Sequence, residues 1–269
     1  MTIRTYKDLI SQLPSTGLGA VVLIQGGEGT GKSTLAANVD GPVAYINLDW
    51  NLRYVEKHIK KDAQIDWFHI QLPKEASLSE RQEVVKHINM IWNAFTTGAP
   101  SSFGTPYASC VFDTATILWD FLWPVKVEER ILQGSNKNRE PGPLDYRDAN
   151  EWMHSIASSR ASYRPDAYVI MLVHEEPLYV TDPKNPDSGF KILDPRGRVK
   201  LDGWKHSAKA AQLYMRLTRP EKAMDRNGKP KPFARTGEVL KFSDDETLMM
   251  SGEVLREPTW EDLKEILNG

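Results

Sequence analysis

The sequence predicts an α/β fold built on a mostly parallel sheet, and three observations carry that prediction. Apolar runs of strand length recur at 21–25, 43–48, 108–113 and 167–173. Segments of helical periodicity separate them, most clearly Val84, Ile88, Ile91, Trp92 and Phe95, and such alternation reads as βαβ units. The first strand also runs directly into a glycine-rich loop that opens a helix. With 269 residues the chain suits one α/β domain. The expected core spans 19–219, and 220–269 adds C-terminal strands and a helix.

Taken in order, 5–13 reads as a short amphipathic helix, 14–19 as a turn and 21–25 as the first strand. After the glycine loop and its helix, 43–48 forms a second strand ending at Asp49, then a helix over 51–61 and a strand over 67–72. Ser77 and Glu80 have capping-box spacing, so a long helix over 78–97 follows, its aromatic stripe packed in the core. A small-residue loop at 97–106 leads to the strand 108–113. The helix 117–132 is interrupted or re-aimed at Pro124. A polar loop over 133–146, a helix over 147–162 and the strand 167–173 come next, then an irregular segment over 175–205. The two long loops are expected to leave the sheet on the side of the glycine loop. Two antiparallel strands, 211–218 and 237–242, flank a basic, turn-rich stretch, and a helix over 259–267 closes the chain.

Composition narrows the function classes. A formal net charge of −2 does not mark a globally basic nucleic-acid binder. The one cysteine, Cys110, lies in an apolar strand, which excludes an internal disulfide and suits a buried thiol. No apolar run approaches the ~20 residues of a membrane span, and Met1 to Arg4 lack a signal peptide's apolar region. A cytoplasmic protein without membrane contact is expected.

The chemistry begins at Gly26-Gly27-Glu28-Gly29-Thr30-Gly31-Lys32-Ser33-Thr34, a complete G-x-x-x-x-G-K-[ST] loop. Its glycines let backbone N–H groups turn inward onto phosphates, Lys32 reaches the β and γ phosphates, and Ser33 ligates Mg²⁺. The loop therefore predicts a nucleoside triphosphate, ATP, with Mg²⁺. Such a site needs a second carboxylate, and Asp113, ending a buried strand, fills that role; alternatively it only caps the next helix. Asp49 and His174 end two further strands. Ligands gather at the carboxyl ends of parallel strands, so both belong with the catalytic candidates Lys32 and Asp113.

In this order the elements resemble the RecA-like P-loop ATPase core, and within it the phage-type proteins of single-strand annealing and recombination. The residues carrying the resemblance are the glycine loop, Ala44-Tyr45-Ile46-Asn47-Leu48-Asp49, Val111-Phe112-Asp113-Thr114 and His174. The resemblance implies that Asp49 activates water where recombinases use Glu, that Asp113 is the Walker B acid, and that His174 reads the γ-phosphate. It further implies a homo-oligomeric ring or filament on single-stranded DNA, with a single-strand-binding protein as a potential partner. Twenty residues precede the first strand, which favours annealing or an accessory role over strand exchange.

By the same resemblance, the segments after Asp113 and His174 are analogous to DNA-binding loops. Lys137 and Arg139 are the phosphate-contact candidates in the first, and Lys191, Arg196, Arg198 and Lys200 in the second. Tyr179 or Phe190 would stack on bases. Interspersed Asp182, Asp187 and Asp194 leave a solvated hairpin as the plain alternative. Lys205, Arg216, Arg219, Lys229 and Lys231 are candidates for a cation reaching into a neighbour's site. Two other readings stay open: an ATP-dependent assembly switch or clamp without turnover, and a P-loop small-molecule kinase.

Overall fold

Strands that are apolar on both faces need helices over both faces, and the chain supplies them in alternation. The computed structural model describes residues 19–49, 55–71, 75–134, 136–157, 164, 166–182, 184, 191–219, 235–242, 252 and 254–268. In chain order the elements are β1 (Val21–Gly26), α1 (Lys32–Ala36), β2 (Pro42–Asn47), β3 (Gln64–His69), α2 (Leu78–Thr96), β4 (Ser109–Asp113), α3 (Ala115–Gln133) and α4 (Arg147–Ala157). They continue with β5 (Tyr168–Val173), β6 (Glu175–Pro177), β7 (Tyr179–Thr181), β8 (Lys191–Leu193), β9 (Val199–Leu201) and α5 (Ser207–Ala210). The last are β10 (Leu213–Thr218), β11 (Thr236–Phe242), β12 (Val254–Arg256) and α6 (Trp260–Asn268).

Eight strands form one sheet in the order β12-β11-β10-β1-β5-β4-β2-β3. From β10 to β3 every pairing is parallel, while β11 and β12 are antiparallel additions. This is the fold class expected. One face packs Ile88, Trp92 and Phe95 of α2, Leu118 and Leu122 of α3 and Met153 of α4. The other packs Leu35 of α1 and Trp260 and Leu263 of α6 against Tyr45, Val111 and Ile170.

Register sets the heights of the strand ends. Ile24 is level with Leu172, Leu172 with Asp113, and Asp113 with Asn47. Two residues further on stand Gly26, His174 and Asp49, about 7 Å higher at 3.3 Å per residue. Phosphate loop, acids and histidine thus share one end of the sheet.

Several elements depart from the sequence expectations for identifiable reasons. The strand expected at 67–72 is Gln64–His69, because pairing with β2 aligns Pro42 with Gln64. Within 51–61, residues 51–54 lie outside the described residues; Val55 is helical, Glu56–His58 form a 3₁₀ turn, and the backbone is extended by Ile59, short of the expected end at 61. Helix α3 runs through Pro124 without interruption, its flanks buried at Leu122 and Val125. Thr114, not Asp113, caps it, accepting from Ile117 N at 3.3 Å. Strand β10 joins the parallel set, and only its pairing with β11 is antiparallel. The segment expected to be irregular after His174 is a two-tier hairpin: β6 pairs with β9, and β7 with β8. The helix at 5–13, the end of the helix at 147–162, Phe190, Asp187, Lys229 and Lys231 lie outside the described residues. Cys110 is buried, and burial pushes its thiol pKa up. Among the described residues no helix is long and apolar enough to cross a membrane.

The C-terminal helix belongs to the core rather than decorating it. Trp260 is 2% exposed and meets Tyr168 edge to face at 5.0 Å. Trp260→Ala should cost about 3–5 kcal/mol, read from the urea midpoint, as for other large core aromatics. A loss below about 1 kcal/mol would show α6 to be peripheral.

Candidate active site

The glycine loop closes tightly because two of its glycines meet constraints a side chain cannot. At Gly26 a Cβ would stand 2.7 Å from Leu217 O and from Thr30 Oγ1. Gly31, at φ +90°, takes the left-handed conformation that starts α1. Thr30 Oγ1 donates to Gly27 O at 2.9 Å, and Lys32 Nζ arches back to donate to Gly26 O at 2.6 Å and Gly27 O at 2.9 Å. Lys32 is 6% exposed. Burial holds its pKa below the usual lysine value, opposed by the charges of Asp113, Glu175, Asp49 and Glu28.

Asp113 lies beneath the loop at 3% exposure. Tyr45 stands opposite Val111, and residues two apart on a strand share a face, so Tyr45 is the diagonal neighbour of Asp113. Its phenol donates to Asp113 Oδ2 at 2.6 Å. Burial raises the Asp113 carboxyl's pKa, while the Tyr45 and Ser33 hydroxyls lower it; burial also raises the Tyr45 phenol's well above its usual value. Asp113 Oδ1 is buried without a hydrogen-bond partner. A buried acceptor with nothing to accept from, beside the Ser33 hydroxyl, is the donor set a hard oxygen-seeking cation fits. No group of three or more His, Cys, Asp or Glu suited to a metal occurs among the described residues, so Ser33, Asp113 and phosphate oxygens would have to hold that cation with water.

A cavity of about 750 Å³ opens over the loop and brings Lys32, Ser33, Thr34, Asp49, Thr114 and His174 to one space. Three of the four catalytic candidates line it, and the fourth, Asp113, lies under it. The His174 backbone is fixed from α3: its N–H donates to Thr116 Oγ1 at 2.9 Å, and the same hydroxyl donates to Asp202 O at 2.9 Å.

The cationic candidates divide. Arg139 forms a two-pronged pair with Asp145 at 2.5 Å on both arms, Arg198 pairs with Asp194, and Lys200 meets Glu176 at 2.7 Å. Lys137, Lys191 and Arg196 have exposed side chains. The 134–146 loop folds against Arg130, which contacts Asp145 and Asp148 about 22 Å along α3 from Ala115. That places Lys137 and Arg139 away from Asp113 rather than over the glycine loop. Arg216 meets Glu175 of its own chain at 3.2 Å, and Arg219 lines its own chain's cavity.

Tyr45, Thr116, Arg235 and Glu257 escaped the sequence reading. Tyr45 leaves a trace, as a hydroxyl on a largely apolar buried strand, and Thr116 lies three residues past Asp113 without a signal of its own; Arg235 and Glu257 are brought in by pairing that no local pattern encodes.

No protein-family model and no curated protein matches the chain. Among solved structures, the flagellar accessory protein FlaH from Methanocaldococcus jannaschii aligns over 96% of this chain and 95% of its own, at 12% identity and TM-score 0.42. An ATPase from the type III secretion system of pathogenic bacteria aligns over 75% of this chain and 53% of its own, at 15% identity and TM-score 0.43. The RadB recombinase aligns over 90% and 87%, at 10% identity and TM-score 0.41. These are distant likenesses of fold, and the functional conclusions stand on the geometry of this chain.

The Tyr45–Asp113 contact makes a separable prediction. Tyr45→Phe should lower stability by about 1–3 kcal/mol at unchanged m-value, because it strips a buried carboxylate of a donor. In an Asp113→Asn background the loss should shrink towards that of a neutral hydrogen bond. Equal losses in both backgrounds would reduce the phenol to packing.

Proposed function

We propose that the chain is a Mg²⁺-dependent ATPase. One observation carries the reading: a glycine loop, a buried lysine and an acid, Asp49, line one cavity, and a buried acid with an unsatisfied oxygen, Asp113, meets the Ser33 hydroxyl of that lining. Lys32 holds the β and γ phosphates, and Ser33 and Asp113 would hold Mg²⁺, directly and through water. Bound Mg²⁺ supplies neutralisation of the charge that develops on the phosphate oxygens. Asp49 takes the proton of the attacking water, and His174 stands at the γ-phosphate end of the cavity. The shorter Asp49 side chain, where a recombinase carries Glu, leaves slow turnover as an expected property.

A second part of the proposal concerns what turnover controls. The hairpin β6–β9 is rooted at both ends beside the site, since His174 N and Asp202 O share the Thr116 hydroxyl. It carries the exposed side chains of Lys191 and Arg196, and Tyr179 is 53% exposed. Cations and an exposed aromatic ring on a strand pair suit a single-stranded nucleic-acid backbone and its bases. We therefore extend the reading to an ATPase of single-stranded DNA recombination or annealing, acting as a homo-oligomer.

Lys32→Ala should abolish ATP binding. Asp49→Asn should retain binding while slowing turnover about 10²- to 10⁴-fold, the usual range for a lost general base. Unchanged turnover in Asp49→Asn, or no turnover in wild type with assembly still dependent on ATP, would select a clamp over an ATPase.

Arg196→Ala should weaken single-stranded DNA binding and flatten its salt dependence, with basal turnover unchanged. Retention on single-stranded DNA that is indifferent to both salt and this substitution would remove the DNA reading and leave the ATPase standing.

A further inference from the structure

The cavity continues past the phosphate loop to Arg219, Arg235 and Glu257. Sheet order decides what belongs there. The groups that fix the terminal phosphate, His174, Asp113 and Asp49, come from β5, β4 and β2, all on one side of β1. The remainder of a nucleotide held by the loop then extends towards the other side, over the ends of β10 and β11. Arg219 follows β10 and Arg235 precedes β11, and Thr218 pairs with Thr236 between them.

Arg235 is fixed in place by contacts from three directions. Its N–H donates to Glu257 Oε1 at 2.9 Å, and Glu257 N–H donates back to Arg235 O at 2.9 Å. Nη2 donates to Pro258 O at 2.9 Å, and Nη1 to Gly31 O of the phosphate loop at 3.3 Å. Its side chain is 19% exposed, and Nε lies 3.7 Å from Glu257 Oε2, too long for a hydrogen bond. One N–H on each terminal nitrogen is committed to a backbone carbonyl, and the two bonds fix the plane of the guanidinium. A plane held this way offers its flat face to a ligand, and a guanidinium face stacks on aromatic rings. Glu257 adds an independent sign: among the described residues it alone, other than glycines, has positive φ, at +49°. Such strain is retained where surrounding contacts over-determine the backbone, as at ligand clamps. Its carboxylate is an acceptor at the cavity rim, complementary to ribose hydroxyls.

We propose that Arg235 and Glu257 form the nucleoside subsite of this chain's own nucleotide site, with the base stacked on the Arg235 guanidinium. The inference rests on the reading that the phosphate loop binds a nucleoside triphosphate. It assigns recognition of the base to the C-terminal strands, and it makes Arg235 a residue acting in cis. The preset guanidinium plane gives the base a platform that needs no ordering when the ligand arrives.

The test compares two Mg²⁺-complexed ligands by calorimetry, ATP and inorganic tripolyphosphate, on the full chain. Arg235→Ala should weaken ATP about 10- to 100-fold, the range of one lost base stack, and leave tripolyphosphate within about twofold. Arg235→Lys, which keeps the charge but not the plane, should behave like Arg235→Ala. Tripolyphosphate binding itself reports that each variant retains a folded loop. Parallel loss of both ligands, rescue by lysine, or an ATP loss in a Lys57→Ala, His58→Ala variant with none in Arg235→Ala would overturn the assignment. Wild type binding neither ligand would fail the phosphate-loop reading itself, and the subsite with it.

Discussion

Everything chemical in this molecule hangs from strand ends, and the parallel pairing of β1 with β5, and of β5 with β4 and β4 with β2, is the constraint that places them. A one-residue slip in any of these pairings would turn the displaced strand's side chains to the opposite face. Asp113 would then leave the face that carries α1 and Tyr45, and Lys32 would lose its acid. The strands resist such slips because both faces are packed against separate clusters, so each register error would mismatch side chains with both. The insertion of β5 between β1 and β4 has its own consequence. It presents His174 between the glycine loop and the acid, a position that adjacent β1 and β4 could not have offered.

Burial at the site works against stability and for chemistry. Asp113 and Lys32 are both nearly inaccessible, and burial moves each pKa towards the neutral form. A folded chain tolerates such groups when hydrogen bonds compensate, and the compensation here is unequal. Lys32 donates to two loop carbonyls, while Asp113 is satisfied at Oδ2 by Tyr45 and unsatisfied at Oδ1. The imbalance leaves Asp113 Oδ1 as the one oxygen of this carboxylate without a hydrogen-bond partner. An apolar residue at 113 would pack more favourably and could hold nothing.

The sequence made the core strands legible because buried parallel strands are apolar throughout, and it made the loop legible because its chemistry is local. Asp49, Asp113 and His174 are candidates by one rule, polarity at the end of an apolar run. What stayed hidden depends on pairing between distant segments. Strand β3 begins three residues before its expected start at Trp67, because its edge position mixes polar and apolar side chains and only the partner strand fixes its start. The hairpin after His174 escaped because its ladders are three residues each, too short for a period to show. Arg235 and Glu257 are separated from the loop by some two hundred residues, and neither flanking sequence announces a ligand. Lysines and arginines proved least legible of all: Arg139, Arg198 and Lys200 look alike in sequence to Arg196, yet each of the three meets a carboxylate of its own chain.

The same architecture explains how a site and a distant surface can be one mechanical unit. Thr116 stands two residues into α3, whose cap, Thr114, adjoins Asp113, and its hydroxyl ties together the two roots of the hairpin. Arg216 reaches Glu175, the first residue of that hairpin, from β10, the strand on the far side of the loop. The β5 end is therefore tied to the hairpin's base by the short Thr116 hydroxyl, through hydrogen bonds of 2.9 Å, and the β10 end by the longer Arg216–Glu175 pair. Such rigid, short links favour two discrete arrangements over graded flexing. Coupling between cavity and hairpin then requires only that phosphate occupancy prefer one of them.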